Sequence, residues 1–591
     1  MIAQMKKVTF IGLQSDRERF LKRLQEVGLT HLIIPGEVLE PAEAAKALER
    51  VTETLKFLDR LAKKQEVPEG ESGEVEELCT RLEELKDRET RLQAEWNGLK
   101  KELIRSQAWG EIDPADVALL RSKGLDFRFF RLPRKEFERL SDEAALVQVT
   151  GQSEGEVAFV AFSAQPLAYA HLAEKDPQSP VQLAVQMQAA ETELAGIRAE
   201  YTELSQGVPA LKRSATELKD NYEYEKARLN VESGLLDRLF VLRCWSPLPE
   251  EELIQKIGPD FVLYHMVSEP EPGDRVPVLL ENPPVLAPGE DLVKVYSHPG
   301  YSDFDPSGFV LYCFAVFLGM IIGDAGYGLF LLGLTVFIHF KVKRKGPGLV
   351  RFLRLSFLLS LSVIFFGVIS VSYFGISIGK DNFLSRLMLL DLVTPQGQRA
   401  VMLISIIMGM VHITLSLAIK LVRQRDLPSL GWIIVIWSGY FVLRARMTQG
   451  AVNEPAQWVM IAGLVLVLLF TSSSKNPIIR FLAGLNGVLG IIQVFSDVLS
   501  YLRLFALGLA TVYISQTVNM LAGMAVEAVP WLGFVLAGLI LLGGHAVNLL
   551  LGVMSGVIHG LRLNFLEWYR WCFEGDGLPF RPFKLTVHPS K

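Results

Sequence analysis

Two long apolar runs close this chain, and in each the polar residues gather on one helical stripe. The first extends roughly from Asn486 to Leu521, more than enough to cross a bilayer. Within it Asn486, Gln493, Ser496, Ser500 and Arg503 succeed one another at spacings of seven, three, four and three, which predicts one polar face on a helix. Asp497, six residues before Arg503, is turned about 120° away from it, so it cannot neutralise the guanidinium within the same helix. In the second run, from Trp531 to about Trp571, the stripe is His545, Asn548, Gly552, Ser555, His559 and Arg562, at alternating three and four. An arginine deep in a membrane helix costs at least about 2.5–3.5 kcal/mol, so both need a reason. Two polar stripes, each reaching an arginine, predict a hydrated ion path with fixed cations. The plain alternative is that each arginine pairs with a carboxylate and holds helices together. His545, His559 and Glu567 are candidates for carrying protons or lining water, with hydrogen-bonded structural roles as the alternative.

Upstream the apolar pattern predicts six more membrane helices. Gly308 to about Phe340 is too long for one crossing and is broken at GDAGYG, giving two helices with a turn near Asp324. Others are expected at about 352–376, 399–422, 429–445 and 456–473, which makes eight in all. Alternate loops carry eleven Lys/Arg against five, and this asymmetry puts the basic loops and both termini on the cytoplasmic side. Asp324 is either a polar station in the membrane or a structural residue of the turn.

The first half has a different period. Val8–Leu13 reads as a strand, Asp16–Val27 as an amphipathic helix closed by Gly28, and Leu29–Ile34 as a second strand. Heptads then run through Leu48, Val51, Leu55 and Leu58, pause at VPEGESG, and continue from Val75 to Leu103, with Glu89 as a polar interruption. DFRFFRL, ALVQVTG and EVAFVAFS predict three strands, with a helix around Phe137. The heptads return from Leu194 to Tyr222, with a kink expected at Pro209. Two matching seams separated by a small lobe predict an antiparallel coiled coil. RLFVLRCW, a helix from Glu250 to Ile257, and FVLYHMV are assigned back to the first lobe. The predicted fold is therefore a dumbbell of two α/β lobes joined by an antiparallel coiled coil, followed by an α-helical membrane protein. The expected divisions are a cytoplasmic domain at 1–272, a linker at 273–305, a membrane domain at 306–574 and a cytoplasmic tail at 575–591. Within the first, the proximal lobe is 1–40 plus 233–272, the coiled coil 42–107 and 182–232, and the distal lobe 108–180.

Composition agrees with this division. The 591 residues are 50% hydrophobic and 21% charged, with mean hydropathy +0.28, values that suit a chain half soluble and half membrane. A net charge of −5 gives no basic field for nucleic acid. The four cysteines lack metal spacing, so neither metal nor cofactor is expected. The start MIAQMKKVTFIG has no long apolar core of a cleaved signal. No GxxxxGK[ST] occurs, so no ATP site of the P-loop kind is expected in this non-catalytic chain.

The words SDVLSYLRLFALGLA and HAVNLLLGVMSGVIHGLRLNFLEWY resemble the last two membrane helices of the a subunit, or subunit I, of V/A-type rotary ATPases. DPSGFVLYCFAVFLGMIIGDAGYGL, FFGVISVSYFG, GMVHITLSLAIK and RCWSPLPEEEL extend the resemblance over essentially the whole chain. It implies a stator forming two ion half-channels against a rotating proteolipid c-ring, for proton or sodium translocation coupled to ATP hydrolysis or synthesis. Arg503 would face the ring carboxylate and Arg562 would assist. Further implied partners are peripheral stalk subunits and a central-stalk subunit leading to the catalytic head. Gly552 and Thr511 stand where eukaryotic relatives carry a glutamate and a histidine. The compact length suggests a bacterial or archaeal plasma membrane. The rival readings are a secondary transporter, which would need inverted repeats, and a coiled-coil membrane receptor, which leaves the arginine stripes unexplained.

Overall fold

The computed structural model describes the chain except residues 35, 37, 66–73, 108–113, 125, 138–145, 154–155, 164–171, 174–177, 235–237, 344, 377–391, 450–453, 473–475, 529–530, 574 and 587–591. The expected pause at VPEGESG lies outside the described residues. The chain divides into two compact units. One holds Phe10–Arg243, Gln255–His265 and Phe583–Lys591; the other holds Met1–Thr9, Cys244–Ile254 and Met266–Pro582.

Strand β1 (Lys6–Leu13) leads to helix α1 (Arg17–Val27), and Gly28 ends that helix in the left-handed region at φ 67°. Strand β2 spans His31–Ile33. Helices α2 (Ala42–Gln65) and α3 (Val75–Gln107) then carry the outgoing heptads. The small lobe follows as α4 (Pro114–Ser122), β3 (Asp126–Pro133), α5 (Arg134–Phe137), β4 (Leu146–Ser153) and β5 (Glu156–Ser163). Its strands form an antiparallel sheet in the order β3-β5-β4, with Phe129, Phe130 and Phe159 fully buried.

Helices α6 (Pro180–Leu204) and α7 (Val208–Asn230) return. The seam is interrupted by a 3-10 turn at Ser205–Gly207, and Pro209 sits in the first turn of α7, where its missing N–H costs nothing. The helices pair as α3 with α6 and α2 with α7. The α3–α6 pair is antiparallel: Arg81 meets Glu200 at 2.7 Å, Arg88 meets Glu193, and Trp96 donates to Glu191 at 3.0 Å. Glu89, the polar residue in the seam, accepts a 2.9 Å bond from the Tyr201 hydroxyl. Short β6 (Glu232–Gly234), β7 (Leu239–Ser246), α8 (Glu250–Ile257) and β8 (Leu263–Ser268) complete the sheet, ordered β2-β7-β1-β8 with β6 beside β7.

The predicted extended linker is instead partly folded. It contains β9 (Pro277–Val278) and α9 (Ala287–Tyr296), whose Ala287, Leu292 and Val293 are buried. Pro288 falls in the first turn of α9, where proline starts a helix rather than breaking it. Gly289 lets α9 abut the first of the apolar helices, since a Cβ there would lie 2.2 Å from the Ser307 carbonyl oxygen.

All eight apolar runs are helical. They are α10 (Ser307–Ile322), α11 (Ala325–Lys341), α12 (Pro347–Ser370), α13 (Pro395–Gln424), α14 (Leu427–Gln449), α15 (Glu454–Phe470), and two long composite spans. The first composite, Pro477–Ala528, is α16 (Pro477–Leu489), α17 (Ile491–Leu499) and α18 (Leu502–Ala528). The second is α19 (Leu532–Arg562), a π-helical turn at Leu563–Trp568 and α20 (Tyr569–Cys572). Among the described residues, five spans are long and apolar enough to cross a membrane, while α10, α11 and α15 are shorter apolar helices. The tail is not free. Strand β10 (Leu578–Pro579) pairs in parallel with β9, and Phe583 and Leu585 bond to the Thr30 and Gln25 carbonyls.

Candidate functional site

The first polar stripe does not lie on a continuous helix. The chain turns at Gly490 and tightens at Ser500–Tyr501, where Arg503 and Leu504 donate to carbonyls three residues back. Tighter winding shifts the phase of everything beyond it. Asn486, Gln493 and Ser496 are exposed and Ser500 is half-buried, its hydroxyl turned back on the Ser496 carbonyl at 3.0 Å. Arg503 is more enclosed, its side chain 22% exposed.

Asp497 is buried away from that stripe and fully engaged. It accepts from Gln493 Nε2 at 2.6 Å, Arg570 Nη1 at 3.2 Å and Trp571 Nε1 at 3.0 Å. Gln493 thus spends its amide on its helical neighbour at i+4. Arg570 was not singled out from the sequence, although its position three residues after Glu567 put a further charge near the end of the run.

Glu567 is the centre of the arginine cluster. Its side chain is 5% exposed, and Oε1 lies 3.8 Å from Arg503 Nη2 and 3.9 Å from Arg562 Nε. Arg562 is the more open of the two, at 51%. In an α-helix Arg562 and Glu567 would point about 140° apart; the π-turn between them, with i→i+5 bonds, brings them to one side. The pairing is incomplete. Distances near 4 Å are ion pairs but not hydrogen bonds, and Arg503 Nη1, Glu567 Oε2 and His559 Nδ1 are buried atoms with no hydrogen-bond partner.

The second stripe divides. His545 and Asn548 join a network facing α11 and α18: the Tyr327 hydroxyl meets His545 Nδ1 at 2.8 Å, and Asn548 Nδ2 donates to Tyr327 at 3.0 Å and Ser515 at 2.8 Å. His545 Nε2 is 3.0 Å from Asn519 Oδ1. Ser555 is half-buried between this network and the arginines. Gly552 is buried, with Ile322 3.6 Å from where a Cβ would be, and Thr511 bonds the Ile321 carbonyl at 3.1 Å. Both are therefore packing positions.

Asp324 is structural. It caps α11 through the Tyr327 N–H and also accepts from Ser372 Oγ and the Phe374 and Gly375 amides. A buried histidine, His412, was missed: its Nδ1 is 2.6 Å from the Tyr501 hydroxyl, and its ring stacks on Trp568 at 5.4 Å.

No protein-family model matches the chain. V-type ATP synthase subunit I of Chlamydia trachomatis is 27% identical, over 99% of both chains. V-type ATP synthase subunit I 1 of Treponema pallidum is 26% identical over 99% of this chain and 100% of its own. A-type ATP synthase subunit I of Methanocaldococcus jannaschii is 29% identical over 67% and 63%. The solved cytoplasmic N-terminal domain of subunit I, homolog of subunit a, of V-ATPase aligns with 44% of this chain at 19% identity, with a TM-score of 0.22 that carries no weight on its own. Over nearly its full length this chain is similar to proteins named subunit I of V-type ATP synthases, and over about two thirds of its length to one named for an A-type ATP synthase.

Proposed function

We propose that this chain is the membrane stator subunit of a rotary V/A-type ATPase, moving protons or sodium ions against a rotating ring of small proteolipids. In this reading each ring subunit brings one ionisable carboxylate to Arg503. The guanidinium favours its ionised form, promotes ion release, and blocks a direct leak between two offset half-channels. Arg562 assists from the adjacent helix. Exposed Asn486, Gln493 and Ser496 would line one half-channel and the His545–Asn548 network the other. ATP chemistry belongs to other subunits. The two α/β lobes and the coiled coil would dock peripheral-stalk and central-stalk subunits from the cytoplasmic side, where both termini would lie.

The observation that carries this reading is the charge balance around Glu567. Two guanidiniums share one carboxylate, the neighbouring Asp497 is already met by Arg570, and Arg503 Nη1 is buried without a hydrogen-bond partner. A buried unsatisfied donor is costly, and one further carboxylate, brought by a partner, would neutralise the cluster. The two composite spans also have the faces for such a partner: 11% of their apolar windows is buried, against 22–39% in the other three candidate spans. Purification from native membranes, with identification of every co-purified subunit, tests the proposal. A proteolipid and stalk subunits are expected. Recovery of the chain alone, with solute uptake in vesicles, would favour a secondary transporter; recovery alone without uptake would favour a receptor.

A further inference from the structure

A groove of about 650 Å³ opens on the side of the helical unit between α10, α11 and α12. Its walls are apolar, with Leu311, Val336, Phe357, Leu358 and Leu361 among them, and Lys345, Arg354 and His339 also line it. Lys345 and His339 lie near the end where α11 finishes and α12 begins, and Arg354 is about two turns into α12. At 1.5 Å per residue, the step along α12 from Arg354 to Leu361 is roughly 10 Å of hydrocarbon wall below the charge. Membrane helices meet lipid everywhere, but an apolar channel with a cationic mouth selects one kind of lipid.

We infer that this groove binds one anionic glycerophospholipid, its phosphate at Lys345 and Arg354 and an acyl chain along α12. Neighbouring charges support an anionic head. Arg351, one turn from Arg354, is already met by Glu290 at 3.2 Å and Asp291 at 3.0 Å. Among the described residues no carboxylate pairs with Lys345 or Arg354. Arg354 gives one N–H to the Pro284 carbonyl at 2.9 Å, and a guanidinium has five, in a fork suited to phosphate. A zwitterionic head would bring an ammonium group against this cationic mouth and be disfavoured. The inference needs α10–α12 to lie in a bilayer and does not depend on the ion path.

The test uses the full chain, with whatever subunits accompany it, reconstituted in phosphatidylcholine nanodiscs holding a minor fraction of phosphatidylglycerol. Retained lipid is counted by native mass spectrometry after release into detergent. The wild type should keep one phosphatidylglycerol per chain, enriched at least about tenfold over its share of the bilayer, equivalent to about 1.4 kcal/mol. Lys345→Gln with Arg354→Gln should abolish the enrichment, and so should Leu358→Trp, which fills the groove and leaves the charges alone. Lys345→Arg should retain it. Circular dichroism and gel filtration establish folding; if the double variant fails to fold, Leu358→Trp decides. Wild-type lipid in proportion to the bilayer would overturn the inference. So would enrichment unchanged in the folded variants, or displacement of the lipid by excess free glycerol phosphate, which would reduce the site to an anion pocket.

Discussion

Arg503 and Glu567 stand 3.8 Å apart, close enough to attract and too far to hydrogen-bond, and Glu567 has Arg562 at 3.9 Å on its other side. Near 4 Å, at an effective dielectric of about 20, the Arg503 contact is worth about 4 kcal/mol before desolvation is subtracted, whereas the half-exposed Arg562 contact is screened to about 1 kcal/mol or less. Glu567→Gln keeps the shape and leaves two guanidiniums facing one another. Assembled protein should fall severalfold, as quantified from membranes by native gel. Unchanged assembly would mean that the arginines do not need this carboxylate.

Arg503→Ala or Gln should abolish coupled ion pumping while much of the protein still assembles, because desolvation opposed the arginine to begin with. A loss of about 4 kcal/mol of attraction corresponds to roughly a thousandfold in rate, below detection in most vesicle assays. Arg503→Lys should also be poor, since an ammonium is a strongly hydrated point charge. Arg562→Ala should be milder, since that side chain is 51% exposed against 22%. Pumping normalised to assembled complex is the measurement, and near wild-type pumping by Arg503→Ala would sink the central-cation mechanism.

The Asp497–Arg570 pair has a different energetic character. Arg570 is 47% exposed, so a double-mutant cycle should give a coupling below about 1 kcal/mol. Asp497→Ala should cost more, about 1–3 kcal/mol, because Trp571 Nε1 and Gln493 Nε2 also lose their acceptor. Thermal unfolding of the single and double variants in detergent separates the two effects.

In the unit that holds Phe10–Arg243, Lys226 donates to Glu40 Oε1 at 2.6 Å and the Tyr222 hydroxyl donates to Oε2, which together hold the Glu40 carboxyl below the usual range. A carboxyl with a lowered folded pKa stabilises the fold at pH above its ordinary value, about 4.3, and that contribution disappears as pH falls through the folded value. Opening at Leu39, whose N–H bonds Asn230 Oδ1 at 2.8 Å, read as amide exchange relative to the intrinsic rate at the same pH, should therefore increase on acidification below about pH 4.3. In Glu40→Gln this acid-dependent increment should vanish. An identical pH profile in the variant would rule the contact out as the source.

Gly367 and Gly333 make a paired test of helix approach. A Cβ on Gly367 would lie 2.0 Å from the Ala325 backbone nitrogen, whereas one on Gly333 meets nothing within 4 Å. Gly367→Ala must push α12 from α11 and should cut the folded yield severalfold. Gly333→Ala should be neutral or add up to about 1 kcal/mol through helix propensity. Equal yields from the two variants would contradict the packing.

Much of the local structure was legible because it is periodic. The helix Glu250–Ile257 is found where the sequence puts it, the small lobe has its three strands, and the break at GDAGYG falls between Ile322 and Ala325. Proline and glycine density misled at 273–305, because those residues also begin helices and allow close approach, as Pro288 and Gly289 do in α9.

The sequence by itself determined which residues are polar within apolar helices, and so marked Arg503 and Arg562 as needing a reason and Glu567 as a candidate for carrying protons or lining water. Spacing along one helix reports only which side chains share a face. It cannot report a partner on another helix, so the pairing of Asp497 with Arg570 and Trp571 came only with the tertiary structure. Nor can an ideal α-helical period anticipate a tightened turn at Ser500 or a π-turn at Leu563–Trp568. Each of these re-phases the residues beyond it, and the second brings Glu567 between the two arginines. Such irregular turns are retained because packing and charge around them outweigh the small cost of leaving α-helical geometry, and that balance is settled only when the helices meet.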